Sequence, residues 1–239
     1  DKFKPDVIFW SAISSHIHGE GEYVNIQNGY DLIKKLNTKN SLKITSGLQA
    51  TSAPEIILDK MPNIDYLIMG ESEVLLNKIL DYIDDSKNFE NLPGLAYKKN
   101  NKFFKNSRQE ILKDLDIIAP YNYDIFDDEI FLRPYNGKLV RAVDYEMSRG
   151  CIYSCSYCVE TIIQKYYDFK ESSPNTGSIK NFKSYLRSKS AENIFIELEH
   201  LVKNKNINLI RCQDTNFLTN DRKILSDLSE LIIKNNLNF

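Results

Sequence analysis

The sequence lacks an excess of either charge: 31 Lys and Arg against 33 Asp and Glu leave a formal −2 over 239 residues. A basic face for nucleic acid is therefore not expected, and no long basic run appears. Long apolar runs are also missing. The longest is about the length of VIFWSAI at 7–13, far too short to cross a bilayer, and nothing at the start resembles a signal peptide. These absences predict a cytoplasmic protein, and a reducing compartment disfavours a structural disulfide. No internal repeat or low-complexity stretch is present. Histidine and cysteine are scarce, with three and four copies, so few metal-ligand sets can be drawn from the chain at all.

The length suits one large domain or two modest ones with a real core. DVIFWSAI reads as a buried strand, followed by an amphipathic helix over about 25–37 with Ile26, Tyr30, Ile33 and Leu36 on its apolar stripe. LKITSG and IDYLIMG read as further strands, APEIILDKM and SEVLLNKILDYIDD as helices, with Pro54 suited to a first helical turn. Apolar strands alternating with helices predict a parallel sheet covered on both faces, whose ligands bind at the carboxyl ends of the strands. Asn100-Asn101 between two short runs predicts a two-residue hairpin. Periodicity fades over 106–138, read as a joining segment in which Asp127, Asp128 and Glu129 are solvated. The alternation resumes with a strand from Leu139 into the cysteine loop, a helix from Ser190 with that serine as N-cap, a strand at INLIRCQDTNF and a last helix at DRKILSDLSELIIKNN. The expected division is 1–105, 106–138 and 139–239.

Three of the four cysteines, Cys151, Cys155 and Cys158, fall within EMSRGCIYSCSYCVE, just past a strand's carboxyl end. A structural zinc site needs four ligands, usually two C-x2-C pairs or a Cys/His mixture. Only one C-x2-C exists here, and the later candidates, His200 in mid-helix and Cys212 in a strand, suit the part poorly. Three thiolates from one short loop instead fit neighbouring corners of an iron–sulfur cube whose fourth iron stays open.

Cys151-x3-Cys155-x2-Cys158, with Tyr157 before the last cysteine, resembles the cluster motif of radical S-adenosylmethionine enzymes. SRGCIYSCSYC, together with PDVIFWSAI, SGLQATSAPE, IDYLIMGESE, RSKSAENIFIELEHLV and LIRCQDTNFLTN, is similar to the branch with an N-terminal cobalamin-binding domain. The resemblance implies an α/β fold: a partial Rossmann-like (flavodoxin-like) cobalamin-binding domain, then the first part of a radical S-adenosylmethionine partial (β/α) barrel. The chain, which begins without methionine, is expected to be truncated at both ends.

The resemblance implies that Cys151, Cys155 and Cys158 hold a [4Fe–4S] cluster and that its open iron chelates S-adenosylmethionine. Tyr157 would meet the adenine, and Gln213 and Asp214 the methionine end, though the family more often has two acidic residues where Asp214-Thr215 stands. Reductive cleavage would release a 5′-deoxyadenosyl radical, and cobalamin would serve methyl transfer. Ser11, Ser46, Gly47, Leu48, Gln49, Gly70, Glu71 and Glu73 are the implied cobalamin-side residues; small residues at strand ends are also ordinary turn formers. A small-molecule or peptide substrate and an electron donor such as flavodoxin or ferredoxin are the implied partners. Rearrangement, cyclisation or oxidation without methyl transfer, and a non-enzymatic zinc module, stay open as alternatives. Methylthio transfer is disfavoured because the first half has no cysteine for a second cluster. His16 and His18 read as loop histidines, since they follow the strand that a cobalt-ligating histidine motif would precede.

Overall fold

The computed structural model describes residues 4–11, 22–35, 40–169, 179 and 181–239. His16, His18 and the far ends of the expected first strand and first helix lie outside these residues. The chain forms a mixed α/β structure of two compact units, one of Asp1–Leu112 with Cys155–Lys170, the other of Lys113–Ser154 with Glu171–Phe239.

The first unit is built on a five-stranded sheet in sequence order. It runs β1 (Val7–Ser11), α1 (Glu22–Lys35), β2 (Leu42–Ser46), α2 (Leu48–Ser52), α3 (Pro54–Lys60), β3 (Tyr66–Ile68), α4 (Glu73–Asp84), β4 (Leu95–Lys99) and β5 (Lys102–Lys105). Strands β1, β2 and β3 are parallel, as the alternation with helices predicts, and β4 and β5 continue antiparallel. Successive side chains of a strand point to opposite faces, and β3 divides its residues accordingly. Leu67, with Met69 just beyond the strand, packs with Ala50, Ile57, Leu58 and Met61 from α2 and α3 and the turn after them. Ile68 packs on the other face with Ile44, Leu75 and Ile79, the last two from α4. Asn100 and Asn101, at φ 52° and 59°, make the left-handed turn that joins β4 to β5. The short helix α5 (Glu160–Tyr166) belongs to this unit as well.

The second unit contains β6 (Leu132–Tyr135), β7 (Lys138–Tyr145), β8 (Ser148–Arg149), α6 (Phe182–Tyr185), β9 (Arg187–Ser188), α7 (Ala191–Lys205), β10 (Leu209–Cys212) and α8 (Arg222–Lys234). Its sheet order is β10-β7-β6, with β7 and β10 parallel. Strand β6 and its Asn136-Gly137 turn, at φ 47° and 72°, fall in the stretch whose periodicity fades. Asn-Gly is the strongest short hairpin signal, so this hairpin was readable and passed over. Ser190 caps α7 as expected, accepting the Asn193 N–H at 3.2 Å. Its backbone N–H donates to Asp116 Oδ1 at 2.8 Å, tying the irregular segment to the helix start. Ile194, Leu198 and Leu201 of α7 meet Val143 and Tyr145 of β7 in one core.

Within this unit Lys189 and Glu197 form a buried ion pair, each 8% exposed at the side chain. Lys189 Nζ donates to both carboxylate oxygens at 2.7 and 2.6 Å, and the Tyr145 hydroxyl donates to Oε2 at 2.5 Å. Burial, then the bond to Glu197, pushes the Tyr145 phenol far above its ordinary range, so it stays a donor. Removing one member strands a buried charge. Lys189→Met is therefore expected to destabilise the unit by about 3–5 kcal/mol, and Lys189→Met with Glu197→Leu to recover most of that loss in thermal unfolding.

Candidate functional site

The approach to the cysteines is fixed in the second unit by one carboxylate. Asp214, buried at 8% exposure, accepts the Met147 N–H at 2.8 Å, the Ser148 hydroxyl at 2.5 Å and the Asn220 amide at 2.7 Å. The backbone of Gln213 donates to Tyr145 O at 2.9 Å, and its side chain to Asp144 Oδ1 at 3.0 Å. The chain leaving β7 is thus tied twice to the turn after β10. Arg149 Nε donates to Glu146 Oε2 at 2.9 Å. Gly150 follows at φ 97°, where a Cβ would lie 2.5 Å from the carbonyl oxygen of Tyr185. Only glycine suits both that angle and that approach. Cys151 comes next, buried, with its sulfur accepting the Tyr153 N–H at 3.5 Å.

Cys155 and Cys158 are held with the first unit and are half-buried. The Cys158 N–H donates to Cys155 O at 3.0 Å, closing a turn. The Thr161 hydroxyl donates to Cys155 O at 3.2 Å and also reaches Cys158 O. These bonds lead straight into α5, so the last two cysteines sit in a wound turn at a helix start. Tyr157, between them, is 90% exposed. The neighbouring Cys155 raises its phenol above the usual range.

No disulfide joins the cysteines. Among the described residues no three His, Cys, Asp or Glu side chains come together as a ready-made metal group. Three reduced thiols within eight residues nonetheless fit an iron–sulfur group by chemistry, and gathering such ligands is work that metal binding itself performs. Cys212, at the end of β10, is exposed; partial desolvation by its surroundings, then the neighbouring Asp214, pushes its thiol up to about 11.

On the first sheet, Ser11 ends β1 in register with Ser46 at the end of β2. Ser46 is buried, Gly47 turns the chain at φ 110°, and Leu48 opens α2. Gln49 accepts from the Tyr30 hydroxyl at 3.1 Å. Thr51 donates to Gly47 O at 2.9 Å and accepts the Gly70 N–H at 2.8 Å, linking the turns after β2 and β3. Glu71 accepts the Leu112 N–H at 3.0 Å, and Glu73 is the first residue of α4. Thr51, Gln109, Tyr166 and Tyr167, all in contact with this region, escape the sequence reading. The signal for the last two was an aromatic pair closing the helix after the motif.

No family model matches the chain. It is 24% identical over 161 residues to an uncharacterized methyltransferase of Pyrococcus horikoshii, covering 67% of this chain and 33% of that protein. It is 22% identical over 236 residues to the anaerobic magnesium-protoporphyrin IX monomethyl ester cyclase of Cereibacter sphaeroides, covering 98% of this chain and 34% of that protein. In fold it matches the radical S-adenosylmethionine methyltransferase TsrM of Kitasatospora setae, solved with cobalamin and a [4Fe–4S] cluster bound. That match has a TM-score of 0.61 and 14% identity and covers 98% of this chain and 41% of that one. The chain is also 27% identical over 121 residues to the cobalamin-dependent radical S-adenosylmethionine methyltransferase TokK of Streptomyces tokunonensis, covering 50% of this chain and 18% of that protein. The chain therefore resembles cobalamin-dependent radical S-adenosylmethionine enzymes, and spans about a third or less of the length of these curated relatives. Among the described residues no helix is long and apolar enough to cross a membrane.

Two outcomes follow from the geometry. Asp214→Ala leaves the Met147 N–H buried without an acceptor and should cost about 2–3 kcal/mol in denaturant unfolding. Cys212, with its thiol raised to about 11, holds less thiolate at pH 8 but a more nucleophilic one, and should alkylate with iodoacetamide roughly tenfold more slowly than an unshifted thiol. Its rate should climb until the pH passes about 11, measured by mass spectrometry of the alkylated peptide.

Proposed function

We propose that this chain is part of a cobalamin-dependent radical S-adenosylmethionine enzyme. Its first unit would be a partial Rossmann-like cobalamin domain and its second the opening strands of a partial (β/α) barrel. The observation that carries the proposal is the trio Cys151, Cys155 and Cys158, at x3 and x2 spacing, following a parallel strand of an α/β fold. The cofactors would bring the hard chemistry: a [4Fe–4S] cluster held by the three cysteines would supply the one-electron reduction of S-adenosylmethionine, and cobalamin would supply methyl transfer.

The residues of the chain bind and orient. The three cysteine thiolates would hold the cluster, each losing its proton on metal binding. Tyr157, its ring turned to solvent, is available to stack on the adenine. Gln213 and Asp214 would lie toward the methionine end. Since Asp214 already bonds Met147, Ser148 and Asn220, its part there is to hold the strand-end backbone in place. On the first sheet, Ser11 and the Ser46-Gly47-Leu48-Gln49 turn would face the cobalamin tail, where the absence of a Cβ at Gly47 permits close approach. Gly70, Glu71 and Glu73 would form the adjoining wall. A small-molecule or peptide substrate and a flavodoxin- or ferredoxin-type electron donor complete the reading. The cyclase relative, which matches nearly the whole chain, favours a second reading in which the same radical chemistry ends in cyclisation rather than methyl transfer.

The test is anaerobic reconstitution with iron and sulfide. The expected product holds about four irons per chain and, once reduced, gives a low-temperature spin-resonance signal that changes on adding S-adenosylmethionine. Cys155→Ala should abolish that signal while circular dichroism stays that of a folded protein. Zinc in place of iron, or full iron loading in Cys155→Ala, would sink the proposal.

A further inference from the structure

The turn after β3 is covered by side chains from two distant stretches of the first unit. Its glycine, Gly70, has φ +82°, and a Cβ there would collide with the Tyr167 hydroxyl and approach Tyr166 Cε1 to 2.9 Å and Gln109 Nε2 to 3.1 Å. The Met69 N–H donates to Gly94 O at 2.8 Å. Met69 O accepts from Gln109 Nε2 at 2.5 Å and from the Tyr166 hydroxyl at 3.0 Å. The Gly70 N–H goes to Thr51 at 2.8 Å, and the Glu71 N–H to the Tyr167 hydroxyl at 2.8 Å. Glu71 O accepts the second Gln109 amide hydrogen at 2.7 Å. The Gln109 backbone N–H donates in turn to the Tyr166 hydroxyl at 3.3 Å. The two tyrosine rings meet edge to face at 4.9 Å.

Buried backbone groups require partners, and here every main-chain donor from Met69 to Glu71 has one within the protein. No N–H of this turn remains for a ligand at the strand end. Two of the groups that close the turn, the Tyr167 hydroxyl on the Glu71 N–H and the Tyr166 hydroxyl on Met69 O, come from the end of α5, whose start lies two residues past Cys158. We propose that Tyr166, Tyr167 and Gln109 form a latch that fixes α5 on the Gly70 turn, and that they are thereby positioning residues for Cys155 and Cys158. The sulfurs of those cysteines are set by a turn that runs unbroken into α5, so whatever anchors the helix end also limits where they can go. The positioning role rests on the cluster reading; the latch itself does not.

Amide hydrogen exchange and cluster lifetime test the two parts separately. In metal-free protein, Tyr167→Phe removes the acceptor of the Glu71 N–H and should speed exchange at Glu71 and across residues 155–169 about tenfold, leaving β2 and the middle of α4 unchanged. Gly70→Ala should produce a larger effect of the same pattern, because its methyl group enters the space of the Tyr167 hydroxyl. After reconstitution, both variants should load as much iron as the wild type but lose their visible absorbance in air several-fold faster. Exchange over 155–169 that matches wild type in both variants would overturn the latch. Faster exchange with an unchanged bleaching rate would overturn the positioning role. A wild-type protein that takes up no iron would overturn the cluster reading alone, and the exchange data would still decide the latch.

Discussion

The second unit depends on the carboxylate of Asp214. A strand that ends must release its backbone groups to something, and β7 ends at Tyr145 with Met147 and Ser148 still below the surface. Asp214 takes both, from a turn that follows the neighbouring parallel strand. The direction in which the chain leaves β7 is therefore set by a residue 66 positions away. Gly150 then lets the backbone pass within contact distance of Tyr185 O, and Cys151 follows with little freedom left. A charged acceptor of three hydrogen bonds is stronger than a set of neutral ones, which suits a joint that must not fray.

The first unit solves the same problem with neutral groups. Thr51 bridges the turns after β2 and β3, and Gln109 and the two tyrosines close the turn after β3. These partners are bulky and partly aromatic, so they cover the turn as well as satisfying it. Burial, the main influence on Tyr166, raises its phenol above the usual range and keeps it a hydrogen-bond donor to Met69 O.

What the sequence revealed follows from which physical signals are local. Strand–helix alternation, the Asn100-Asn101 turn and the Ser190 cap depend on neighbours within a few residues, and all three appear as read. The β6–β7 hairpin carried an equally local signal in Asn136-Gly137, obscured by the proline and acidic residues before it. The last expected strand, 207–217, shortens to Leu209–Cys212 because Gln213 and Asp214 turn back toward β7. The resemblance implied Asp214 as a cofactor residue, but its hydrogen bonds to Met147 and Ser148 were invisible in the sequence because they join residues far apart in the chain. Gln109 and the Tyr166-Tyr167 pair were missed for the same reason: nothing in their own neighbourhoods says what they touch.

The cysteine loop is held by polar groups on both sides of it. Backbone and side-chain polar groups leading to Cys151 are bound to Asp214 and Glu146, and those leaving Cys158 are bound through Thr161 and α5. The thiols themselves form no disulfide. A loop that existed only for packing would be served as well by small apolar side chains, which fill the same space without a reactive group. Instead the fold fixes the chain on either side of the motif and leaves three reduced sulfurs within one short segment. That combination suits ligands whose final gathering is left to a metal cluster.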